Sequence, residues 1–273
     1  MGLFGSKVNT EDLIYHAMSM MERNLPKAAI SLFNKVLKQD SENTSALYNK
    51  GLALNQIKKY SDAVTCFDKL LEMNPKDAQA FNNKGIAMAE MGNVQDAAEC
   101  YDKAIEADPK LAASYFNKGV LLDRLQEHEE AIEFLDKAIS IEPRKPNALF
   151  YKGIILGKMK KHEMALNCFE KVYRKNPSHM DALFHKGIEL AELDKHEKAI
   201  NIFEQILSKH KDNVNIIYAK SRSKAALGMY PESLELLKMA ISKNPKLIRS
   251  WAKEEKLFEK FHDNNQFRKL VKL

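Results

Sequence analysis

AQAFNNKGIAMAEMGNVQDAAECYDKAIEADPKL, residues Ala78–Leu111, reads as two amphipathic helices joined by a short turn. Phe81, Gly85, Met88 and Met91 stand at i, i+4, i+7 and i+10, which places them on one helical face. Gly92-Asn93 signals a turn. Val94, Ala97, Tyr101, Ala104 and Ile105 then form a second apolar face, and Asp108-Pro109 closes it, because a residue before proline is driven out of the α region. Gly85 and Ala97 are the expected crossing point: a residue without Cβ opposite one with only a methyl lets two helices approach closely. Neither helix buries its apolar face alone, so the hairpin must stack on copies of itself.

The copies are there. The alanine recurs as Ala29, Ala63, Ala97, Ala131, Ala165 and Ala199, then Ser233, always 34 residues apart. Its partner recurs as Ala17, Gly51, Gly85, Gly119, Gly153, Gly187 and Ser221. Four residues after each alanine position stands Phe33, Phe67, Tyr101, Leu135, Phe169, Phe203 or Leu237. A closing proline follows at Pro75, Pro109, Pro143, Pro177 and Pro245, with Ser41 and Lys211 as exceptions. The units are therefore 10–43, 44–77, 78–111, 112–145, 146–179, 180–213 and 214–247. A short extension, 1–9, precedes them, and 248–273 reads as a truncated eighth unit that caps the stack. In that cap Ile248, Trp251, Phe258 and Phe261 are expected to continue one first-helix face.

Period, small residue, alanine, aromatic and proline together resemble the tetratricopeptide repeat family, over nearly the whole chain and in the lysine–glycine-rich style common in prokaryotic, especially archaeal, proteins. The resemblance implies an all-α, right-handed solenoid whose first helices line a concave groove. It implies a non-catalytic scaffold or adaptor that binds a protein or peptide there. One departure is regular: Lys50, Lys84, Lys118, Lys152, Lys186 and Lys220 stand where the family usually has leucine. These are expected to flank the apolar face, the stem on the seam and the ammonium in water.

The groove positions carry the functional reading. One series runs Ile14, Tyr48, Asn82, Phe116, Phe150, Phe184, Tyr218; the next residue runs Tyr15, Asn49, Asn83, Asn117, Tyr151, His185, Ala219. Four beyond the first series come Met18, Leu52, Ile86, Val120, Ile154, Ile188 and Arg222. Asn49, Asn83 and Asn117 form a ladder of amides, each with donor and acceptor, as related proteins use to hold a peptide backbone. Phe116, Phe150 and Phe184 with Val120, Ile154 and Ile188 form an apolar stripe suited to an amphipathic helix, unless adjacent helices or residues 2–9 cover it. Arg222, Arg249, Lys253 and Lys256 make a basic end, so a ligand with an apolar segment and an acidic end is expected. The carboxylate clamp of the co-chaperone subgroup is not: Leu52 and Val120 stand where it needs asparagine. Self-association through the stripe and the basic end is the alternative reading.

Other classes are disfavoured. His128, His162 and His196 each open an H-E motif, but Ile132, Leu166 and Ile200 stand where a zinc protease needs its second histidine. Neighbouring repeats are ~10 Å apart, too far to share one ion, so packing and turn structure are expected of these histidines. Cys66, Cys100 and Cys168 occupy one packed position and contain no C-x-x-C. No phosphate loop or poised nucleophile appears, so neither an enzyme nor a cofactor or metal is expected. A net charge of +6 without dense basic clusters argues against a dedicated nucleic-acid binder. Three cysteines and no secretory h-region point to the cytoplasm. No membrane partner is expected, although Met1-Gly2-Leu3-Phe4-Gly5-Ser6 matches the N-myristoylation pattern at Gly2.

Overall fold

The computed structural model describes residues 9–272 and, within them, helices without a strand. Gly2 and its acylation pattern lie outside the described residues. The chain divides after Arg144 into two compact units. The first contains α1 (Thr10–Glu22), α2 (Pro26–Gln39), α3 (Thr44–Gln56), α4 (Tyr60–Met73), α5 (Ala78–Glu90), α6 (Val94–Ala107), α7 (Ala112–Arg124) and α8 (His128–Ile141). The second contains α9 (Pro146–Lys158), α10 (His162–Lys175), α11 (Met180–Glu192), α12 (His196–Lys209), α13 (Val214–Ala226) and α14 (Tyr230–Lys243). It ends with α15 (Pro245–Glu254), a 3-10 helix (Lys256–Phe261) and α16 (Asn265–Val271). Odd- and even-numbered helices up to α14 form hairpins, and within each unit each hairpin packs on the next. The fold class is an all-α solenoid of seven 34-residue hairpins with a helical cap.

The same turn closes every hairpin. Asn24, Lys58, Gly92, Gln126, Lys160, Asp194 and Gly228 all adopt a left-handed conformation, with φ between 56° and 85°. The amide after each bonds the carbonyl five residues back, as in Leu25 N to Met20 O at 2.8 Å and Lys161 N to Leu156 O at 2.9 Å, the Schellman pattern. Most first helices start on a side chain that accepts an early amide: Asn9, Asn43, Asp77, His179 and Asn213 do so.

The hairpin crossing differs in detail from the expected glycine–alanine contact. A Cβ on Gly85 would meet the Tyr101 ring at 2.6 Å, and one on Gly51 or Gly187 would meet Phe67 or Phe203 at 2.6 Å. In these three hairpins the glycine leaves room for the aromatic four residues past the alanine. The alanine position is adjacent as well: in the seventh hairpin Ser221 and Ser233 each donate to the other's carbonyl, at 2.8 and 2.9 Å, with neither exposed. Two hydroxyls there would be orphaned in the core without this exchange.

Four of the regular lysines are tied down rather than solvated. Lys84 reaches Asp68 at 2.7 Å, Lys186 reaches Glu170 at 3.0 Å and Lys220 reaches Glu204 at 2.8 Å, and Lys118 pairs with Asp102 in the same way. Each pair joins a first helix to the second helix of the preceding hairpin across sixteen positions (84 − 68 = 16), forming a ladder of ion pairs between repeats.

The cap covers the final apolar face. Ile248, Phe258, Phe267 and Val271 are fully buried against Leu237, Ala240 and Ile241 of α14. It departs from a continuous helix: Glu255 adopts an extended conformation, accepts from Leu257 N at 3.2 Å and breaks the helix before Phe258. Within α15, Ile248 and Ala252 are buried whereas Trp251 is 36% exposed.

Candidate functional site

In the first unit the outward face of the first helices is a network of amides and one phenol. Tyr48 donates to Gln79 Oε1 at 2.9 Å. Asn83 Nδ2 donates to the Tyr48 hydroxyl at 3.1 Å and to Gln79 O at 2.8 Å. Asn49 Nδ2 turns back to Ser45 O at 2.9 Å, and Asn117 Nδ2 donates to Asn82 Oδ1 at 2.9 Å. Burial raises the Tyr48 pKa, with the Asn83 bond opposing, so the phenol stays a proton donor. Each of the three ladder amides thus donates at least one N–H inside the protein, and their carbonyl oxygens remain acceptors. Asn82 does not point outward: it is 6% exposed and serves as the acceptor for Asn117. Phe116, Ile86 and Val120 are half-buried. Beside Tyr48, a depression of about 520 Å³ is lined by Asn49, Asn74, Lys76, Asp77 and Gln79.

In the second unit the same positions carry rings and charges. Phe150 packs against His179, Phe169 and His185 with ring centroids 4.9, 5.6 and 5.6 Å away. His185 stacks on Phe169 at 5.2 Å and meets the edge of Phe184 at 5.4 Å. Phe150, Phe184 and Ile154 are half-buried, and Phe150 joins its hairpin to the next through His179 and His185. Burial lowers the His185 pKa, outweighing the nearby Asp181 charge. Below this cluster, buried Glu189 accepts from His162 Nδ1 at 2.8 Å. Burial raises the Glu189 pKa, with the His162 bond opposing. Gly157 makes room for that carboxylate: a Cβ there would meet Oε1 at 2.7 Å. His128 likewise stands 3.1 Å from buried Asp123 in the first unit.

In the second unit a cavity of about 600 Å³ lies between α11, α13 and the cap. Tyr218 and Trp251 form one wall, their rings 5.4 Å apart. Arg222 lies in it, but paired: to Glu192 at 3.3 Å and, more closely, to Glu255. Four carboxylates, Glu192, Asp194, Glu254 and Glu255, line the cavity against two cations, Arg222 and Lys256. Ser223 and His196 also line it, and their Oγ and Nδ1 are buried without hydrogen-bond partners among the described residues. Burial and then the Glu255 charge hold the Tyr218 hydroxyl well above its ordinary range. The expected basic end is therefore acid-lined at its centre. Arg249 and Lys253 turn onto the cap, donating to Leu270 O at 2.9 Å and Lys272 O at 3.1 Å. Arg222 could be named from sequence, but its two carboxylates could not, since Glu255 comes near only because the helix breaks there.

The family models fit this architecture. Residues 13–120 match the Psidin N-terminal tetratricopeptide region, 112–145 match the tetratricopeptide repeat itself, and 130–206 match subunit 3 of the anaphase-promoting complex. No curated protein sequence matches the chain. Among solved structures, YrrB, described as a tetratricopeptide protein with an unusual peptide-binding site, is 23% identical with a TM-score of 0.59, covering 69% of this chain and 98% of its own. A tetratricopeptide protein from Parabacteroides merdae is 16% identical with a TM-score of 0.64, covering 97% and 99%. The Cut9–Hcn1 assembly of the anaphase-promoting complex gives 16% and 0.67, covering 97% of this chain and 50% of that one. The chain belongs to the tetratricopeptide repeat family, whose fold is that of a protein–protein interaction scaffold. No helix among the described residues is long and apolar enough to cross a membrane.

Proposed function

We propose that this chain is a non-catalytic adaptor that takes a peptide or amphipathic helix along its first helices and anchors it by a basic side chain in the Tyr218–Trp251 cavity. The observation that carries the reading is the charge balance of that cavity, four carboxylates to two cations beside an exposed indole. Arg222 is neutralised by Glu192 and Glu255, so an acidic ligand end would find no unpaired guanidinium. A lysine or arginine would meet the Trp251 face, a contact worth ~0.5–2 kcal/mol, and could donate to Glu254. In the first unit, the amide oxygens of Asn49, Asn83 and Asn117 support the same preference for donors, such as peptide N–H groups.

Trp251 is the chain's single tryptophan and reports on the cavity directly. Titrating amphipathic peptides that carry one central Lys, Arg, Glu or Gln should shift its emission saturably for Lys and Arg. Glu254→Lys, on an exposed side chain, should weaken that binding about tenfold, or ~1.4 kcal/mol. Equal or tighter binding of the Glu peptide would overturn the assignment.

A further inference from the structure

The lysine ladder has one incomplete rung. Lys84, Lys118, Lys186 and Lys220 each find a carboxylate sixteen positions back, on the residue that follows the second-helix aromatic. Sixteen positions before Lys50 is Asn34, which follows Phe33. Lys50 is half-buried like its counterparts, whose side chains are 13–26% exposed, yet no carboxylate pairs with it among the described residues. A partly desolvated ammonium without a counter-charge is costly and is normally paired.

At this rung there is also an opening. A cavity of about 380 Å³ lies among α2, α3 and α4 and is lined by Asn34, Ser41, Lys50, Lys59, Asp62 and Lys69 among others. Its one carboxylate, Asp62, lies 3.9 Å from Lys59, both largely exposed. Lys50 and Lys69 are left in surplus, with the Asn34 amide and the Ser41 hydroxyl as further donors. Thr65 also lines the cavity but donates to Ser61 O at 3.2 Å, so it can only accept. The other walls are apolar: Leu47, Leu54 and Cys66 are 3%, 3% and 5% exposed, with Ile30 and Leu37 beside them.

We propose that this cavity is a carboxylate-binding site, in which an external carboxylate on a short apolar arm completes the Lys50 rung as Asp68 and Asp102 complete the next two. The apolar walls favour an organic acid with a short hydrocarbon arm over a fully hydrated dianion. The site is separate from the first-helix face and does not depend on what binds there. A free organic acid and an acidic side chain of a protein present the same chemistry.

The test uses the full chain and three probes at matched ionic strength: butyrate, the peptide acetyl-Ala-Glu-Ala-amide, and inorganic phosphate. Amide NMR shifts on α2–α4 should move saturably with both carboxylates. Lys50→Met should weaken binding at least about tenfold. Asn34→Asp should also abolish it, by supplying the carboxylate from within, while raising the melting temperature. That second variant keeps the test decisive if Lys50→Met fails to fold. Similar affinity for both carboxylates would support a free acid as ligand, and about tenfold tighter peptide binding a protein side chain. Phosphate binding as tightly as either, no saturation by either carboxylate, or undiminished binding in Asn34→Asp would overturn the proposal.

Discussion

The first helices of the two units share one scaffold but hold their outward faces by different chemistry. In the first unit Tyr48, Gln79, Asn83, Asn82 and Asn117 exchange neutral hydrogen bonds. In the second, Phe150, Phe184 and His185 interlock as rings, and Glu189 and Arg222 sit in charged pairs. The difference teaches that a repeat position is constrained by its neighbours more than by its place in the unit. Asn83 can be an asparagine because Tyr48 precedes it by one repeat; His185 can be a histidine because Phe150 and Phe169 are there to stack on.

The largest test of the shared scaffold is Ala97→Asp. It would bury a carboxylate at a position with no exposure, beside Tyr101 and Leu121. We expect a loss of several kcal/mol by denaturant unfolding, with hydrogen exchange raised mainly in α5–α8. Protection lost equally throughout both units would show that they are not energetically local. The second unit offers the gentler counterpart. Ser233→Ala removes the bond from its hydroxyl to Ser221 O but leaves Ser221 Oγ on Ser233 O, and should cost ~0.5–1.5 kcal/mol, whereas Ser221→Gly with Ser233→Ala removes both bonds and should cost about twice as much. A double variant as unstable as the single one would argue against reciprocal bonding.

The charged and ring-built face predicts a pH response that the amide face lacks. Burial holds His185 below the usual imidazole range, so the unfolded chain takes up the proton first as pH falls. Its contribution is complete above pH ~6.5 and is lost as pH falls from there toward the folded value. Glu189 works the other way: burial holds it above 4.5, so its cost is relieved as pH falls through the folded value to the unfolded one. His185→Phe should flatten the loss of stability between neutral pH and pH ~5, followed by Trp251 fluorescence on unfolding. An unchanged profile would remove His185 from the account.

Much of this was legible because repetition averages out local ambiguity. Seven in-register copies of Gly85, Ala97 and Tyr101 leave little choice of fold. Even so, the identity of the group filling the glycine's space, the Tyr101 ring, needed the interhelical geometry. The candidate site was less legible. Periodicity placed Tyr48, Asn83, Phe150 and Arg222 on one face but said nothing of which side chains each would meet. Asn82 turns inward because Asn117 offers it a bond, and Arg222 is neutralised by Glu255 from beyond a helix break. Partners one repeat away are 27–35 positions distant, and no local pattern couples them.

The smallest effect concerns the turns, where the units can be compared position by position. Gly92 and Gly228 take the left-handed conformation without strain, but Lys58, Gln126 and Lys160 adopt it with a Cβ. That conformation costs roughly 1–2 kcal/mol for a residue with Cβ, partly offset because glycine loses more chain entropy on folding, about 0.5–1 kcal/mol. Lys160→Gly in the second unit and Lys58→Gly in the first should therefore each stabilise by ~0.5 kcal/mol, a small upward shift in the denaturation midpoint with no change in slope. Lys160→Ala keeps the Cβ and loses only the exposed stem, so it should not stabilise. Equal gains from glycine and alanine would locate the effect in the lost lysine charge and leave the backbone argument without support.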